Sequence, residues 1–150
     1  MSMLDFKATD ANREIRHIAK IILHCSDSDN IEHDSIEVIR QWHRARGFND
    51  VGYHFYIRSS GQIEIGRPIY KIGAHCLSHN FNSIGICLSG KTNFSNDQFY
   101  AAHILVRDLL SRFKLSRDAV FPHNYFDKKK TCPNFEIDEL WQFDSPLQTC

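Results

Sequence analysis

Two largely apolar runs of strand length constrain how this chain can fold more than any other feature. One covers residues 18–23 within HIAKIILHCS, and the other lies in NSIGICLSG, between Asn82 and Gly90. The first is too short for a typical helix, and continuous runs of this length are typical of strands buried on both faces. We therefore predict a sheet whose first strand ends at His24 and whose middle is occupied by the second run.

The remaining segments predict two principal helices and a hairpin around that sheet. SIEVIRQWHRARGF has apolar residues at helical spacing and is closed by Gly47, and SNDQFYAAHILVRDLLSRFKL predicts the longest helix, with Ser95 as its N-cap. YHFYIRSSGQIEIG predicts two strands joined by a Ser-Ser-Gly turn. A short strand in AVFP leads into a loop, and FEIDELWQF predicts a short closing helix. The predicted order is βαβββαβα, an α/β (α+β) class fold with one central mixed β-sheet flanked by helices.

Length and composition favour a single globular domain. The chain has 150 residues, 42% of them hydrophobic and 24% charged, which is enough to bury an ordinary core. We place a polar N-terminal arm at residues 1–17, the folded domain at 18–143 and a C-terminal tail at 144–150. Trp42 and Phe48 are expected in the core, because large aromatic side chains of this kind are more often buried than exposed.

Charge and cysteine content exclude several classes of function. Lys and Arg total 18 and so do Asp and Glu, so no overall field attracts nucleic acid. No stretch approaches the roughly 20 apolar residues of a membrane-spanning helix, and the start, MSMLDFKATDANREIR, is too charged for a signal peptide. The five cysteines form no C-x-x-C pair. We expect reduced thiols in a protein that is cytoplasmic when synthesised, does not insert into membranes and does not bind nucleic acid.

Three residues have the chemistry of a metal site. His24 and His123 each end a short apolar run, and Cys132 follows His123 by nine residues across a loop. Two imidazoles and a thiolate suit Zn²⁺, and three protein ligands leave the fourth tetrahedral position for water, as in catalytic zinc sites. The spacing alone leaves a second interpretation open, in which the histidines are ordinary surface residues and Cys132 is a small buried apolar residue.

Four stretches of the sequence resemble a known enzyme family. IILHCS, IRQWHRARGFNDVGYHFYIRSSGQIEIGR, GAHCLSHNFNSIGICLSG and KTCPNF are similar, in order and with similar gaps, to the zinc-dependent N-acetylmuramoyl-L-alanine amidases. Within that family the chain resembles most the amidases called lysozymes in T-odd coliphages, and the same superfamily includes the peptidoglycan recognition proteins. The resemblance runs from about Ile21 to Phe135. It implies a zinc amidase domain with a surface groove for the peptide stem of peptidoglycan.

The resemblance also assigns roles to individual residues. It implies metal ligands at His24, His123 and Cys132 and a catalytic tyrosine at Tyr53. His54, the neighbour of Tyr53, should then face away from the groove, toward packing. His75 matches a histidine on the groove wall and is a candidate for substrate contact. The implied reaction is hydrolysis of the amide between the lactyl group of N-acetylmuramic acid and L-alanine, by a monomer that meets peptidoglycan after lysis or after export without a signal peptide.

The catalytic lysine is less sharply assigned. In the phage enzymes it lies two residues before the cysteine, which selects Lys130. The stretch between His123 and Cys132 is one residue longer here, and counting forward from His123 selects Lys129 instead. Lys128 is the third member of this basic run. The choice among the three stays open at this stage, with Lys130 as our assignment.

Other functions of the same superfamily are alternatives to a lytic amidase. Recognition proteins that have lost catalysis bind peptidoglycan, but they characteristically lack the cysteine ligand. Muropeptide-recycling amidases usually have aspartate in place of that cysteine. Some phage enzymes also bind a polymerase, and the sequence does not reveal such a surface. A glycosidase would need two positioned carboxylates, for which no motif is present.

Overall fold

A five-stranded mixed sheet forms the centre of the molecule. The computed structural model describes residues 16–144. The predicted residues 1–15 of the arm and 145–150 of the tail, with Cys150, lie outside this range. The strands and helices, in chain order, are β1 (Lys20–Cys25), a 3-10 turn (Ile31–His33), α1 (Ile36–Ala45), β2 (Phe55–Ile57), β3 (Ile63–Ile65), a 3-10 turn (Asn80–Asn82), β4 (Ser83–Leu88), α2 (Asn96–Phe113), a 3-10 turn (Arg117–Ala119), β5 (Val120–Pro122), α3 (His123–Phe126) and a 3-10 helix (Ile137–Phe143).

The two apolar runs lie next to each other inside the sheet, as predicted. The strand order is β3-β2-β4-β1-β5, so β4 is central and β1 is its neighbour. β1 runs parallel to both β4 and β5, β2 is parallel to β4, and β2 and β3 form the antiparallel hairpin. The predicted mixed sheet and the order of the principal elements are confirmed. The short helix α3, directly after β5, was not predicted.

Alternation along the strands separates two cores on opposite faces of the sheet. Ile21 and Leu23 of β1 face α2, in the larger core, together with the inward side chains of β2 and β4. The smaller core on the other face contains residues of α1, with Tyr56 and Cys87 from the sheet. His24 alternates with Leu23, so it faces the α1 side. The fold therefore places a histidine on the face that is covered by the shorter helix.

Local signals explain where the helices begin. The hydroxyl of Ser35 accepts the N–H of Val38 at the start of α1. At the start of α2 the side chains of Ser95 and Gln98 form a reciprocal capping box, which confirms the predicted cap. The amide of Gln98 is fully buried and also donates to the carbonyls of Ile57 and Ser89. This ties the first turn of α2 to the ends of β2 and β4.

The two ends of the described chain are held on the domain by arginines. Arg16, assigned to the N-terminal arm, donates to the carbonyls of Ile69 and Ser83. At the other end, Asp144 pairs with Arg107 and Arg117. None of the helices in residues 16–144 has the length and apolar character that crossing a membrane requires.

Candidate metal centre

The sheet brings together the three predicted metal ligands. His24 lies near the end of β1 and His123 directly follows β5. These strands are parallel neighbours with Leu23 opposite Pro122, so the two histidines emerge at the same edge. Cys132 returns to this edge through the loop after α3. One ligand atom from each of the three residues lies within 4.8 Å of the other two.

This arrangement fits a tetrahedral metal ion. Bonds of about 2.0–2.1 Å to nitrogen and about 2.3 Å to sulfur separate two nitrogens and one sulfur at tetrahedral positions by about 3.3–3.6 Å. Because the three ligand atoms lie within 4.8 Å of one another, each pair has to approach by at most about 1.5 Å to reach these distances. The main-chain N–H of Cys25 donates to Sγ of Cys132 at 3.1 Å, and such a bond stabilises a thiolate ligand. The three residues form a site that could hold a metal ion.

Burial sets the protonation of these ligands. It lowers the pKa of His24 well below its ordinary value, with a further contribution from His123. Burial also lowers the pKa of His123. Both imidazoles are therefore neutral, the form that binds metals. A hydrogen bond with the Cys25 thiol, together with burial, raises the pKa of Cys132, so a metal ion would have to displace a proton from this sulfur.

The three ligands lie in the wall of an open cleft of about 760 Å³. One side of the cleft comes from α1 and the turn after it, through Trp42, Arg46 and Phe48. The lining also includes residues 74–77 and the loop that contains Cys132. A cleft of this volume accommodates a ligand of several hundred daltons rather than only a water molecule.

Tyr53 faces the cleft and His54 faces away from it, as expected. The ring of Tyr53 lies 5.0 Å from that of His24, measured between centroids. His54 is fully buried; its Nδ1 accepts the N–H of Gly85 and its Nε2 donates to the carbonyl of Lys71. Strand β2 begins only at Phe55, so both residues precede the strand in which the sequence places them. A β-carbon on Gly52 would lie 2.1 Å from the carbonyl oxygen of Ala74, which explains the glycine before Tyr53.

Tyr53 keeps its proton in this setting. Burial, with nearby thiols that include Cys87 and Cys132, raises its pKa well above the ordinary value. The hydroxyl can therefore donate a hydrogen bond over the whole physiological pH range. Its role in catalysis remains a prediction.

The structure separates the three candidate lysines. Lys129 and Lys130 line the cleft, whereas Lys128 places its Nζ 5.2 Å from the centre of the Tyr125 ring and is not part of the lining. After burial and the opposing charge of Asp127, the charge of Lys130 also contributes to the lowered pKa of His123. These positions favour Lys130 over Lys128.

His75 is part of the cleft lining, but its ring is nearly buried against that of His24. It is 8% exposed, and its Nδ1 is 2.8 Å from Nε2 of His24. Its Nε2 is 3.2 Å from the hydroxyl of Ser83. Both ring nitrogens therefore have protein partners, although the predicted contact with substrate is not tested by this arrangement.

Three cleft residues differ from expectation. Trp42 and Phe48 were predicted in the core, but both line the cleft; Trp42 is 37% exposed, and Phe48 is half-buried and belongs to neither core. The buried stripe of α1 runs through Ile36, Ile39 and His43, and Trp42 lies one position away from it. The sequence analysis missed His43, whose Nδ1 accepts the N–H of Gly52 at 2.8 Å. Burial lowers its pKa to about 4. The i, i+3, i+7 spacing from Ile36 is the signal that could have indicated its inward position.

Comparison with known proteins identifies relatives along most of the chain. The family model described as N-acetylmuramoyl-L-alanine amidase matches residues 14–135. The endolysin of Escherichia phage T7 is 34% identical over 130 residues, which cover 81% of this chain and 84% of that protein. The endolysin of Klebsiella phage KP32 is 33% identical over 132 residues, covering 83% and 85%.

Solved structures give the same picture of the fold. The N-acetylmuramoyl-L-alanine amidase LysC from Clostridium intestinale superimposes with a TM-score of 0.76 and 27% identity, covering 85% of each chain. Wild-type Drosophila PGRP-LB superimposes with a TM-score of 0.67 and 25% identity, covering 89% of this chain and 85% of that one.

Proposed function

Because the chain belongs to the N-acetylmuramoyl-L-alanine amidase family, we propose that it uses zinc held by His24, His123 and Cys132 to hydrolyse the amide that joins N-acetylmuramic acid to the L-alanine of the stem peptide. Family membership makes the protein a peptidoglycan amidase of the phage endolysin type. The observation that supports the zinc site is the convergence of two neutral imidazoles and a cysteine sulfur at the wall of an open cleft. The bond we assign is the amide between the lactyl carbonyl and the stem peptide.

Zinc at this site would lower the pKa of a bound water to around 7 and polarise the carbonyl of the substrate. The protein supplies the remaining groups. Tyr53, whose ring lies 5.0 Å from that of His24, offers a protonated hydroxyl, and Lys130, in the lining of the same cleft, offers a positive charge. Both groups can stabilise the negative charge that develops on the carbonyl oxygen as the amide is attacked. We assign these two residues as catalytic.

The cleft supports peptidoglycan as the substrate and a monomer as the active unit. All proposed ligands and catalytic groups belong to one chain, so no second copy is needed to complete the site. The cleft has apolar and cationic groups along one side, including Trp42 and Arg46. A peptide stem with its carboxylates fits such a wall. We propose that the enzyme acts on the cell wall, reaching it after lysis or through export that does not use a signal peptide.

The first prediction tests which bond is cut. Digestion of purified sacculi should release new L-alanine amino termini without new reducing sugar ends, because the proposed site attacks an amide. Both can be quantified by amine labelling and by a reducing-sugar assay on the same digest. New reducing ends would contradict the amidase reaction, and binding to sacculi without any release would identify a peptidoglycan-binding module. Faster cleavage of soluble anhydromuropeptides than of sacculi would indicate a recycling enzyme.

The second prediction concerns the metal. Purified protein should contain one zinc per chain by elemental analysis, chelation should abolish hydrolysis, and added zinc should restore it. Cys132→Ala should lose the zinc, because two imidazoles alone hold it weakly. His79→Ala is the control, since its ring packs on Phe126 outside the cleft lining. Full activity in protein shown to be free of metal would contradict the zinc site.

The third prediction concerns Tyr53. Tyr53→Phe removes one hydrogen-bond donor and should lower kcat by about 10²–10³-fold, the usual cost of losing a group that stabilises an oxyanion. Zinc content and the thermal midpoint should stay close to those of the wild type, because phenol is not a ligand. Tyr56→Phe is the matched control, since its hydroxyl contacts the carbonyl of His33 away from the cleft. Equal kcat in both variants would remove Tyr53 from the mechanism.

The fourth prediction separates the lysines. Lys130→Met should lower kcat by about 10²-fold, because it removes the positive charge placed near the reacting carbonyl. Lys128→Met should leave kcat within about twofold, as expected for a lysine outside the cleft. Steady-state kinetics on sacculi measures both. A large loss in Lys129→Met with normal activity in Lys130→Met would transfer the role to Lys129.

A further inference from the structure

His75 has the position of a residue that orients a metal ligand. Its Nδ1 lies 2.8 Å from Nε2 of His24, and the two rings meet edge to face with centroids 4.9 Å apart. His24 is 1% exposed and His75 is 8% exposed, so water does not compete for this hydrogen bond. With Nε2 of His24 engaged in this way, Nδ1 is the nitrogen left to bind a metal.

Two glycines form the slot that holds the His75 ring. A β-carbon added to Gly85, in the central strand, would lie 2.5 Å from Cγ of His75. A β-carbon on Gly73 would lie 2.7 Å from Cδ2 of the same ring. Any larger residue at either position would collide with the ring. The main-chain N–H of His75 is also fixed, since it donates to the side-chain oxygen of Asn80 at 2.9 Å.

The hydrogen bonds of His75 determine which ring nitrogens of His24 and His75 carry protons when a metal is bound. If Nδ1 of His24 binds a metal, its Nε2 carries the proton and must donate, and Nδ1 of His75 is the acceptor. Nε2 of His75 then carries its own proton and donates to the hydroxyl of Ser83, 3.2 Å away. Ser83 is fully buried. Along the chain of hydrogen bonds from His24 through His75 to Ser83, each donor therefore faces an acceptor.

We propose that His75 is a positioning residue, which fixes the tautomer and ring orientation of His24 so that Nδ1 faces the metal. The proposal rests on the zinc site proposed above. Residues that hydrogen-bond a metal-ligating histidine typically change metal affinity or activity by 10–100-fold when they are replaced. In this role His75 does not need to contact substrate, and its two ring nitrogens are already used within the protein.

The test compares two replacements of similar size. His75→Asn keeps an acceptor oxygen close to the place of Nδ1, whereas His75→Leu removes it. Zinc dissociation constants, measured by competition with a chelator on folded protein at 25 °C, should rise about 10–100-fold for His75→Leu. His75→Asn should restore most of the affinity. With zinc saturating, KM for sacculi should equal that of the wild type in both variants.

Four results would each overturn a different part of the proposal. Wild-type zinc affinity in His75→Leu would overturn the positioning role, and a raised KM with unchanged zinc affinity would show that His75 binds substrate instead. If His75→Leu does not fold, His75→Ala takes its place, because it also removes the acceptor at Nδ1, and unchanged zinc affinity in that variant would overturn the positioning role. A wild-type protein that binds no zinc would overturn the proposed metal site itself, before the role of His75 is in question.

Discussion

The parallel pairing of β1 with β5 is the constraint on which the proposed metal centre depends. Side chains at the carboxyl ends of parallel neighbours emerge at one edge of a sheet, and this brings His24 and His123 to a ring separation of 4.4 Å. The pairing is in turn held by β4, which runs beside all six residues of β1. A register shift of one residue between β1 and β4 would turn His24 to the α2 face, because alternate residues face opposite sides.

The two faces of the sheet have different tasks. The α2 face is filled by large apolar side chains, and this face supplies most of the buried apolar area. On the α1 face the central strands present Gly85, Cys87 and His24, which are small or polar. Because Gly85 and Gly73 have no side chains, the ring of His75 occupies the space beside them. The fold thus concentrates its stabilising core on one face and leaves the other for polar groups that must be held in fixed positions.

The sequence predicts those parts of the structure that follow from local pattern. Continuous apolar runs indicate the buried strands, and Ser95 indicates where α2 begins. The metal ligands could be proposed because His24 and His123 end such runs, although their assignment relied on the family resemblance. The exposure of Trp42 could not be predicted from its residue type, because it depends on which face of α1 packs on the sheet. The slot for His75 is formed by glycines from two separate segments, and only the folded chain shows that they meet.

The loop that carries Cys132 is tied to the sheet by bonds that do not involve a metal. The sulfur of Cys132 accepts the N–H of Cys25, and the carbonyl of Cys132 accepts the N–H of Asn124 at 3.0 Å. Further along, the amide of Asn134 donates to the carbonyl of Lys91, also at 3.0 Å. Ordering a loop costs about 1–2 kcal/mol of conformational free energy per residue. Where contacts within the protein already order the loop, this cost does not reduce the free energy of metal binding. The sheet fixes two of the proposed ligands and these loop contacts fix the third, so a metal ion bound at the proposed site would not first have to fold the segment that completes it.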